Sequence, residues 1–430
     1  MNSNNYVPKA KFGWVDFSPD DRERFNEVMS LLSEPGTVDE LGIGPIRNAF
    51  SDALFPGITT IMTRAKYFMI VPNIIKDYLL YDFNKVSSIK KYLHNRENEL
   101  MEEFTRQARN SQNELIDTGI IGYNIAKRRI EKNSDQELVR KPSAIYWNGL
   151  KEYRIVHTGD SLSNFLKYLD SLKPDLYSVQ NQEELSEEHP YSRLLSIPST
   201  GKNWEEDISI LLTETEADFL ENKIIDTTKG SLLEALLEDK GLLKTFVDSN
   251  NLESFVRVAN LEDMPQRLKA NLIGAVNFWE VMKGAHILYN ILFFDMYNED
   301  ERVNELRNDK WEPWLEDMQK FTWSTISPEF IWKVCDEESH NVKDHTMQFI
   351  AEWFAESKKR APNITKLEEL VKQQEKHNKG SRNKLSSKKD PDKFRSDDKD
   401  WIGFDSLGYR FNNAKQILID INNGLNGINA

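Results

Sequence analysis

DELGIGPIRNAFSDALFPGITTIMTRAKYF, residues 39–68, is the stretch that decides the fold. After Gly44-Pro45 its apolar residues recur at helical spacing, and proline suits the first turn of a helix. Phe55-Pro56-Gly57 interrupts that pattern, because proline followed by glycine favours a turn. A second helix is predicted from about Thr59, and Pro72 is expected to kink or end it. The stretch therefore predicts two helices separated by a sharp break.

Helical spacing continues on both sides of this stretch. An apolar stripe that includes Phe25 and Leu32 follows a proline-initiated start near residue 19, and the strongest helical pattern covers 268–298. Further helices are predicted at about 86–110, 301–319, 328–337, 341–376 and 412–423. Strand patterns are few and short. We predict a mainly α, multi-helix fold with two or three helical segments and minor short β elements.

The length of 430 residues exceeds that of one ordinary core, so several domains are expected. We predict an N-terminal helical domain at 1–154, an acidic helical segment at 155–265 and a C-terminal helical domain at 266–430. The middle assignment follows from charge, because residues 155–270 contain 22 acidic and 11 basic side chains. The C-terminal domain is expected to carry a basic loop at 376–400.

Composition limits the cellular setting. The formal net charge is -14, which argues against indiscriminate binding to polyanions. Cys335 is the only cysteine, so the chain forms no internal disulfide and no cysteine-based zinc site. The start of the chain lacks the apolar run of a secretory signal, and the longest apolar run, 67–80, is too short and polar to cross a bilayer. We expect a cytoplasmic protein with no membrane association.

Searches for familiar chemistry give no catalytic signature. The sequence contains no P-loop, no dinucleotide-binding fingerprint, no G-x-S-x-G and no H-E-x-x-H. Glu337 and His340 have the spacing of a di-iron pair, but a second pair is missing, so exposed polar residues at a helix junction are the simpler interpretation. His286 lies on an apolar helical face, where a hydrogen-bonded core histidine is expected rather than a catalytic base. We predict no catalytic residues, no metal and no cofactor.

Three cations in the first stretch form a candidate anion site. Arg47 lies near a predicted helix N-terminus, whose free amide groups attract anions, and Arg64 and Lys66 lie on the helix predicted from Thr59. Phosphate or nucleic acid could bind there. The alternative is that the arginines form internal ion pairs with nearby acids, namely Asp16, Asp39, Glu40 and Asp52.

A second cationic feature lies in the predicted basic loop. Residues 357–399 contain 14 basic and 7 acidic side chains, a local charge of +7. Arg382, Lys384, Lys388 and Lys389 are the candidate nucleic-acid-binding residues of this tract, and Trp401 nearby could stack on a base. The alternative is a solvated linker.

Several motifs carry a family resemblance: FGWVDFS at 12–18, residues 39–68, GIIG at 119–122, KPSAIYWNGL at 141–150, GAHILYN at 284–290 and YRFNNAKQILIDINNGL at 409–425. They resemble an uncharacterised bacterial family, a domain of unknown function, over nearly the whole chain. The resemblance implies a setting in genome-defence loci, beside helicase-type and phospholipase-D-like genes. It implies no catalytic residue, because none is assigned in that family.

Three functions remain open on these grounds. The first is a non-enzymatic subunit of a bacterial anti-phage defence system that binds DNA or RNA, with helicase- or nuclease-type proteins as partners. The second is a protein-interaction or sensor scaffold without nucleic-acid binding, which the acidic middle segment would suit. The third is an enzyme with an unrecognised phosphate-handling site built around Arg47 and Arg64.

Overall fold

The structure, a computed structural model, describes residues 38–82, 88–110, 119–132, 138, 140–172, 193–198, 204, 208–386 and 401–428. The helix predicted around Phe25 lies outside these residues, as do Asp16, Lys388 and Lys389.

Six helices cover the first part of the described chain. They are α1 (Gly44–Leu54), α2 (Tyr67–Asp77), α3 (Ile89–Asn110), α4 (Tyr123–Lys132), α5 (Pro142–Glu152) and α6 (Leu162–Ser171). A π-helical turn, Tyr78–Asp82, extends α2. The next four are short and follow one another closely: α7 (Glu214–Thr227), α8 (Leu232–Glu238), α9 (Lys240–Asp248) and α10 (Leu252–Val258).

The C-terminal part is also helical. Its elements are α11 (Gln266–Asp295), α12 (Asp300–Leu306), α13 (Glu312–Lys320), α14 (Pro328–Glu337), α15 (Asp344–Ser357), α16 (Ile364–Lys379) and α17 (Phe411–Leu425). A π-helical turn, Arg307–Trp311, joins α12 to α13, and a 3₁₀ turn, Gly380–Arg382, follows α16.

The core is organised around α11, which is about 45 Å long at 1.5 Å per residue. Its C-terminal half is apolar on nearly all faces, the pattern of a helix enclosed by others. α1 and α16 both pack against it. The Phe50 ring of α1 lies 6.0 Å from the Phe278 ring of α11, between centroids. Residues 39–68 therefore fold onto the central helix.

The mainly α prediction is confirmed. Within the described ranges there is no strand, and the β content is one isolated antiparallel bridge between Val156 and Leu195. None of the described helices has the length and apolarity that crossing a membrane requires.

The break after α1 is longer than the sequence suggested. The second helix begins at Tyr67 rather than near Thr59, so Arg64 lies in a non-helical segment. The Tyr146 hydroxyl explains this conformation, because it accepts hydrogen bonds from the amides of Thr63 (2.9 Å) and Arg64 (3.0 Å). Those amides need no helical carbonyl partner.

Two other boundaries also differ. α2 continues past Pro72 to Asp77, and every residue of this helix is buried, so tertiary packing outweighs the lost backbone hydrogen bond. The predicted helix at 341–376 is two helices, α15 and α16. Asn363 starts the second one, because its side chain accepts a hydrogen bond from the Lys366 amide at 3.2 Å.

The three predicted segments share buried apolar packing, and their boundaries as domains stay a prediction. One cluster of buried apolar side chains includes members of all three predicted segments, for example Phe50, Phe246 and Phe411. α17 packs against α7, which joins the end of the chain to its middle.

Candidate functional site

The N-terminus of α1 already holds an anion. Asp39 Oδ1 accepts hydrogen bonds from the Gly42 amide (2.7 Å) and the Ile43 amide (3.1 Å), and Oδ2 accepts one from the Gly44 amide (2.7 Å). These are the free amide groups at which the sequence predicted phosphate binding. Asp39 therefore satisfies the helix end internally, and a phosphate could bind there only by displacing this carboxylate.

Arg64 is buried in an ion pair with a residue from the other end of the chain. Its Nε lies 2.9 Å from Asp420 Oδ2 and 3.1 Å from Oδ1, and both side chains are 3% exposed. The Ala65 amide (2.8 Å) and Gln416 Nε2 (3.0 Å) also donate to this carboxylate. Burial raises the pKa of Asp420, while Arg64 and these donors oppose that rise. The pair joins α17 to the segment before α2.

Lys66 is neutralised in a similar way. Its Nζ lies 2.7 Å from Glu216 Oε2 and 2.8 Å from Oε1, and the lysine side chain is 6% exposed. Glu216 also closes the capping box at the start of α7 with Thr213. Arg64 and Lys66 thus hold helices together. Anion binding by either residue stays a prediction, and it would require an ion pair to break.

Arg47 has a different environment. Its Nε and Nη2 donate to Asn48 Oδ1 at 3.3 and 3.1 Å, and its guanidinium lies 4.9 Å from the centre of the Phe404 ring. Burial lowers the pKa of Arg47, and the nearby charge of Asp39 opposes the shift. No carboxylate within the described ranges forms an ion pair with Arg47.

Glu40 forms ion pairs with two lysines at the start of the predicted basic loop. Its buried carboxylate lies 2.5 Å from Lys384 Nζ and 3.4 Å from Lys379 Nζ. Glu375 adds two further bonds, because it accepts from the amides of Lys384 (2.7 Å) and Leu385 (2.9 Å). Arg382 is exposed between these anchors. Lys384 and Leu385 are therefore held against the core.

Residues 401–404, which follow the predicted basic loop, lie close to Glu40 and Arg47. Ile402 is held by Asn290 through paired hydrogen bonds of 2.7 and 3.0 Å, and Lys310 Nζ lies 5.3 Å from the centre of the Trp401 ring. Gly403 abuts Glu40, and Phe404 lies under Arg47. We name this surface the basic corner; its cations are Arg47, Lys310, Lys376, Lys379, Arg382 and Lys384. Contacts through Glu40, Gly403 and Phe404 thus connect Lys384 with Arg47, and Arg382 precedes Lys384 by two residues. Arg64 and Lys66 take part in other ion pairs.

Asp52 has partners that the sequence did not suggest. Its Oδ1 pairs with Arg410 Nη1, and its Oδ2 lies 2.7 Å from His340 Nε2. Arg410 also donates to the Ile58 carbonyl at 2.7 Å. His340 was interpreted as an exposed polar residue, whereas its side chain is 25% exposed and faces a carboxylate. No local sequence signal links these residues, because they lie about 290 to 360 positions apart.

Two unusual backbone conformations orient these side chains. The end of α14 is a Schellman motif, in which the Ser339 amide donates to Asp336 O (3.1 Å) and the His340 amide to Cys335 O (2.8 Å). Ser339 takes the left-handed position, at φ +57°, that glycine usually occupies. Arg410 is also left-handed, at φ +60°, immediately before α17. Both conformations cost energy, and such costs concentrate at functional sites.

His286 is the core histidine that its apolar face predicted. It is 1% exposed, its Nδ1 lies 3.1 Å from the Met282 carbonyl, and burial lowers its pKa. Across the described ranges, no group of three or more His, Cys, Asp or Glu side chains is arranged to hold a metal ion.

A family model described as a family of unknown function, DUF6361, matches residues 9–418. The match spans nearly the full chain and confirms the predicted kind of family. Comparison with characterised proteins and with solved structures gives no match.

Proposed function

The chain belongs to DUF6361, a family of unknown function, and we propose that it is a non-enzymatic nucleic-acid-binding subunit that contacts DNA or RNA through the basic corner. The observation that supports this is the position of cations beside Ser386 and Trp401, the two described residues that flank residues 387–400. Residues 387–400 contain five basic and five acidic side chains, so they add no formal net charge. Lys384 precedes Ser386 by two residues and is held by Glu40, and Lys310 lies against the Trp401 ring.

The chemistry of the basic corner suits a phosphate backbone. Lys310, Lys376 and Arg382 are exposed, and none of them forms an ion pair with a described residue. Unpaired surface cations displace the counterions of nucleic acids on binding, which makes affinity fall steeply with salt. Trp401 is partly exposed beside Lys310 and offers a ring on which a base could stack. Arg64 and Lys66 have no part in the proposed contact.

The setting of this subunit rests on the family resemblance alone. We propose that it acts in the cytoplasm of a bacterium, within an anti-phage defence system, with helicase- or nuclease-type proteins of the same locus as partners. The alternative of a protein-interaction scaffold predicts a stable complex with such partners and no affinity for nucleic acid.

The test is a binding titration of the full chain with labelled single- and double-stranded DNA and RNA of random sequence. We expect binding at about 50 mM salt that weakens linearly, on logarithmic axes, up to about 200 mM. In the triple variant Lys310→Glu, Lys376→Glu and Arg382→Glu, the salt slope should fall by roughly 2–3, about one unit per lost phosphate contact.

A matched control carries the same charge change elsewhere. Lys91, Lys167 and Lys244 are exposed and lie on α3, α6 and α9, away from the basic corner. Replacement of these three by Glu should change affinity and slope much less. Absence of binding at low salt, or equal losses in both triple variants, would contradict the proposal.

A further inference from the structure

An open cleft of about 620 Å³ lies between the turn after α1, the end of α5 and the residues that come after α14. Its volume is in the range of small-molecule sites. The residues that line the cleft include none of the cations of the basic corner.

One wall of the cleft is an internally paired cluster. It consists of Asp52 with His340 and Arg410, whose hydrogen bonds to one another fix their positions. Arg410 is 13% exposed, and its contact with the Ile58 carbonyl holds it against the turn. The donors and acceptors on this wall are thus set before any ligand arrives.

The opposite wall is unpaired. Asn148, Lys151 and Glu152 occupy positions i, i+3 and i+4 of α5, so they project from one helical face into the cleft. None of the three side chains forms a hydrogen bond or ion pair with any described residue. An amide, an ammonium and a carboxyl group are therefore available together, each within one helical turn of the others.

The two walls are held at a fixed separation. The Tyr153 hydroxyl, at the end of α5, donates to the Pro56 carbonyl at 3.0 Å. Gly57 is left-handed at φ +78°, and a Cβ at this position would lie 2.8 Å from the Tyr153 ring. The turn after α1 can pack this closely against α5 only because residue 57 is glycine.

We propose that this cleft binds a small phosphorylated, hydroxyl-rich molecule, a mononucleotide or a sugar phosphate. Lys151 would bind the phosphate, because it is the unpaired cation of the cleft among the described residues. Asn148, Glu152 and Asp52 would bind hydroxyl groups, each of which both donates and accepts a hydrogen bond. The lining has no Phe, Tyr or Trp side chain, so recognition would rest on polar contacts.

Two carboxyl groups of the cleft, Glu152 and Glu338, are partly buried and lie near the charge of Asp52. Partial burial and the charge of Asp52 raise the pKa of Glu152, and the same two causes raise that of Glu338. Arg154 opposes the shift at Glu152, and Arg267 and His340 oppose it at Glu338. A carboxyl group that protonates more readily repels a phosphate less and can donate to a hydroxyl oxygen.

The test is isothermal titration of the full chain with adenosine 5′-monophosphate and with glucose 6-phosphate, beside adenosine, glucose and inorganic phosphate. We expect one of the two phosphorylated probes to bind, and the one that binds identifies the source of the phosphate. Lys151→Gln should weaken that probe about tenfold or more and leave it no tighter than its unphosphorylated form. Asn148→Ala should weaken both forms.

Because Asn148 and Lys151 form no hydrogen bond or ion pair with a described residue, these variants should fold like the parent chain, which a thermal unfolding scan will verify. Lys167→Gln, an exposed lysine on α6, is the matched control and should bind normally. The proposal is overturned if neither phosphorylated probe binds at concentrations up to about 1 mM. It is also overturned if Lys151→Gln binds as tightly as the parent chain.

Discussion

Arg64 and Asp420 lie 356 positions apart in sequence, and their side chains form an ion pair that is 3% exposed on both sides. The pair links the last described helix, which carries Asp420, to the segment after the first described helix, which carries Arg64. A buried charge without its partner is strongly unfavourable.

Asp420→Asn should therefore destabilise the protein by about 3–5 kcal/mol, since Arg64 would keep its charge and lose the buried Asp420 carboxylate. Denaturant unfolding followed by tryptophan fluorescence measures the change. Arg106→Met is the control, because Arg106 forms only exposed pairs with Glu102 and Glu103, and a loss below about 1 kcal/mol is expected there. Equal losses in the two variants would contradict the structural role of the buried pair.

Gly284→Ala tests the packing around the central helix α11. A Cβ at residue 284 would lie 2.3 Å from the Trp314 ring. Trp314 cannot move away easily, because its Nε1 donates to the Glu280 carbonyl at 2.8 Å and its ring stacks on Trp311. We expect a loss of about 1–3 kcal/mol in the free energy of unfolding.

Gly159→Ala is the matched control for this packing, because a Cβ at residue 159 would have no heavy atom within 4 Å. Its effect should stay within about 0.5 kcal/mol. Thermal unfolding of both variants decides the matter, and a neutral Gly284→Ala would show that Trp314 packs differently.

Ser339→Gly should stabilise the protein by about 0.5–1 kcal/mol, because glycine adopts the left-handed conformation of residue 339 without strain. Ser339→Val should do the opposite, since a β-branched side chain tolerates φ +57° poorly. Chemical denaturation of the two variants should thus give shifts of opposite sign. Shifts of the same sign would count against the Schellman motif at the end of α14.

Glu356 gives a prediction about pH. Hydrogen bonds from Lys359 (2.7 Å) and from the Asn363 amide (2.9 Å) lower the pKa of this carboxyl to about 2. The unfolded value is about 4.3, so its stabilising contribution is complete above that pH and is lost as the pH falls toward about 2. Glu356→Gln should therefore be less stable than the parent chain at pH 7, and the difference should shrink below about pH 4.

Melting temperatures measured from pH 7 to pH 3 provide this comparison. Glu99→Gln is the control, because Glu99 is exposed and forms a surface pair with Arg96. A difference between Glu356→Gln and the parent chain that stays constant across this range would show that Glu356 is not held in its ionised form.

The sequence predicted what depends on neighbouring residues. The helix predicted at 268–298 is observed as Gln266–Asp295, and the one predicted at 328–337 is observed at those residues. Apolar periodicity and helix caps involve residues only a few positions apart, so the sequence alone predicts these helices. The start of α2 was missed because the hydroxyl that holds residues 63 and 64 belongs to Tyr146, over 80 positions away.

In the candidate site, too, contacts between residues distant in sequence could not be predicted. Internal pairing was foreseen for Arg64, and among the described residues its partner is Asp420, which lies far away in the sequence. Asp52 pairs with His340 and Arg410 instead. Composition and spacing carry no information about which distant charges meet, because the fold brings them together. The cleft beside α5 left no signal in the sequence for this reason.

The carboxylate of Asp39 at the start of α1 acts as a tethered competitor. It is attached to the chain a few residues from the amides that it binds, so its effective concentration at that helix end far exceeds that of any free anion in solution. Gly44 permits this occupancy, since a Cβ at residue 44 would lie 2.9 Å from Asp39 Oδ2. An external phosphate must therefore displace Asp39 to reach these amides, whereas Lys310, Lys376 and Arg382 form no ion pair with any described residue and stay available to external anions.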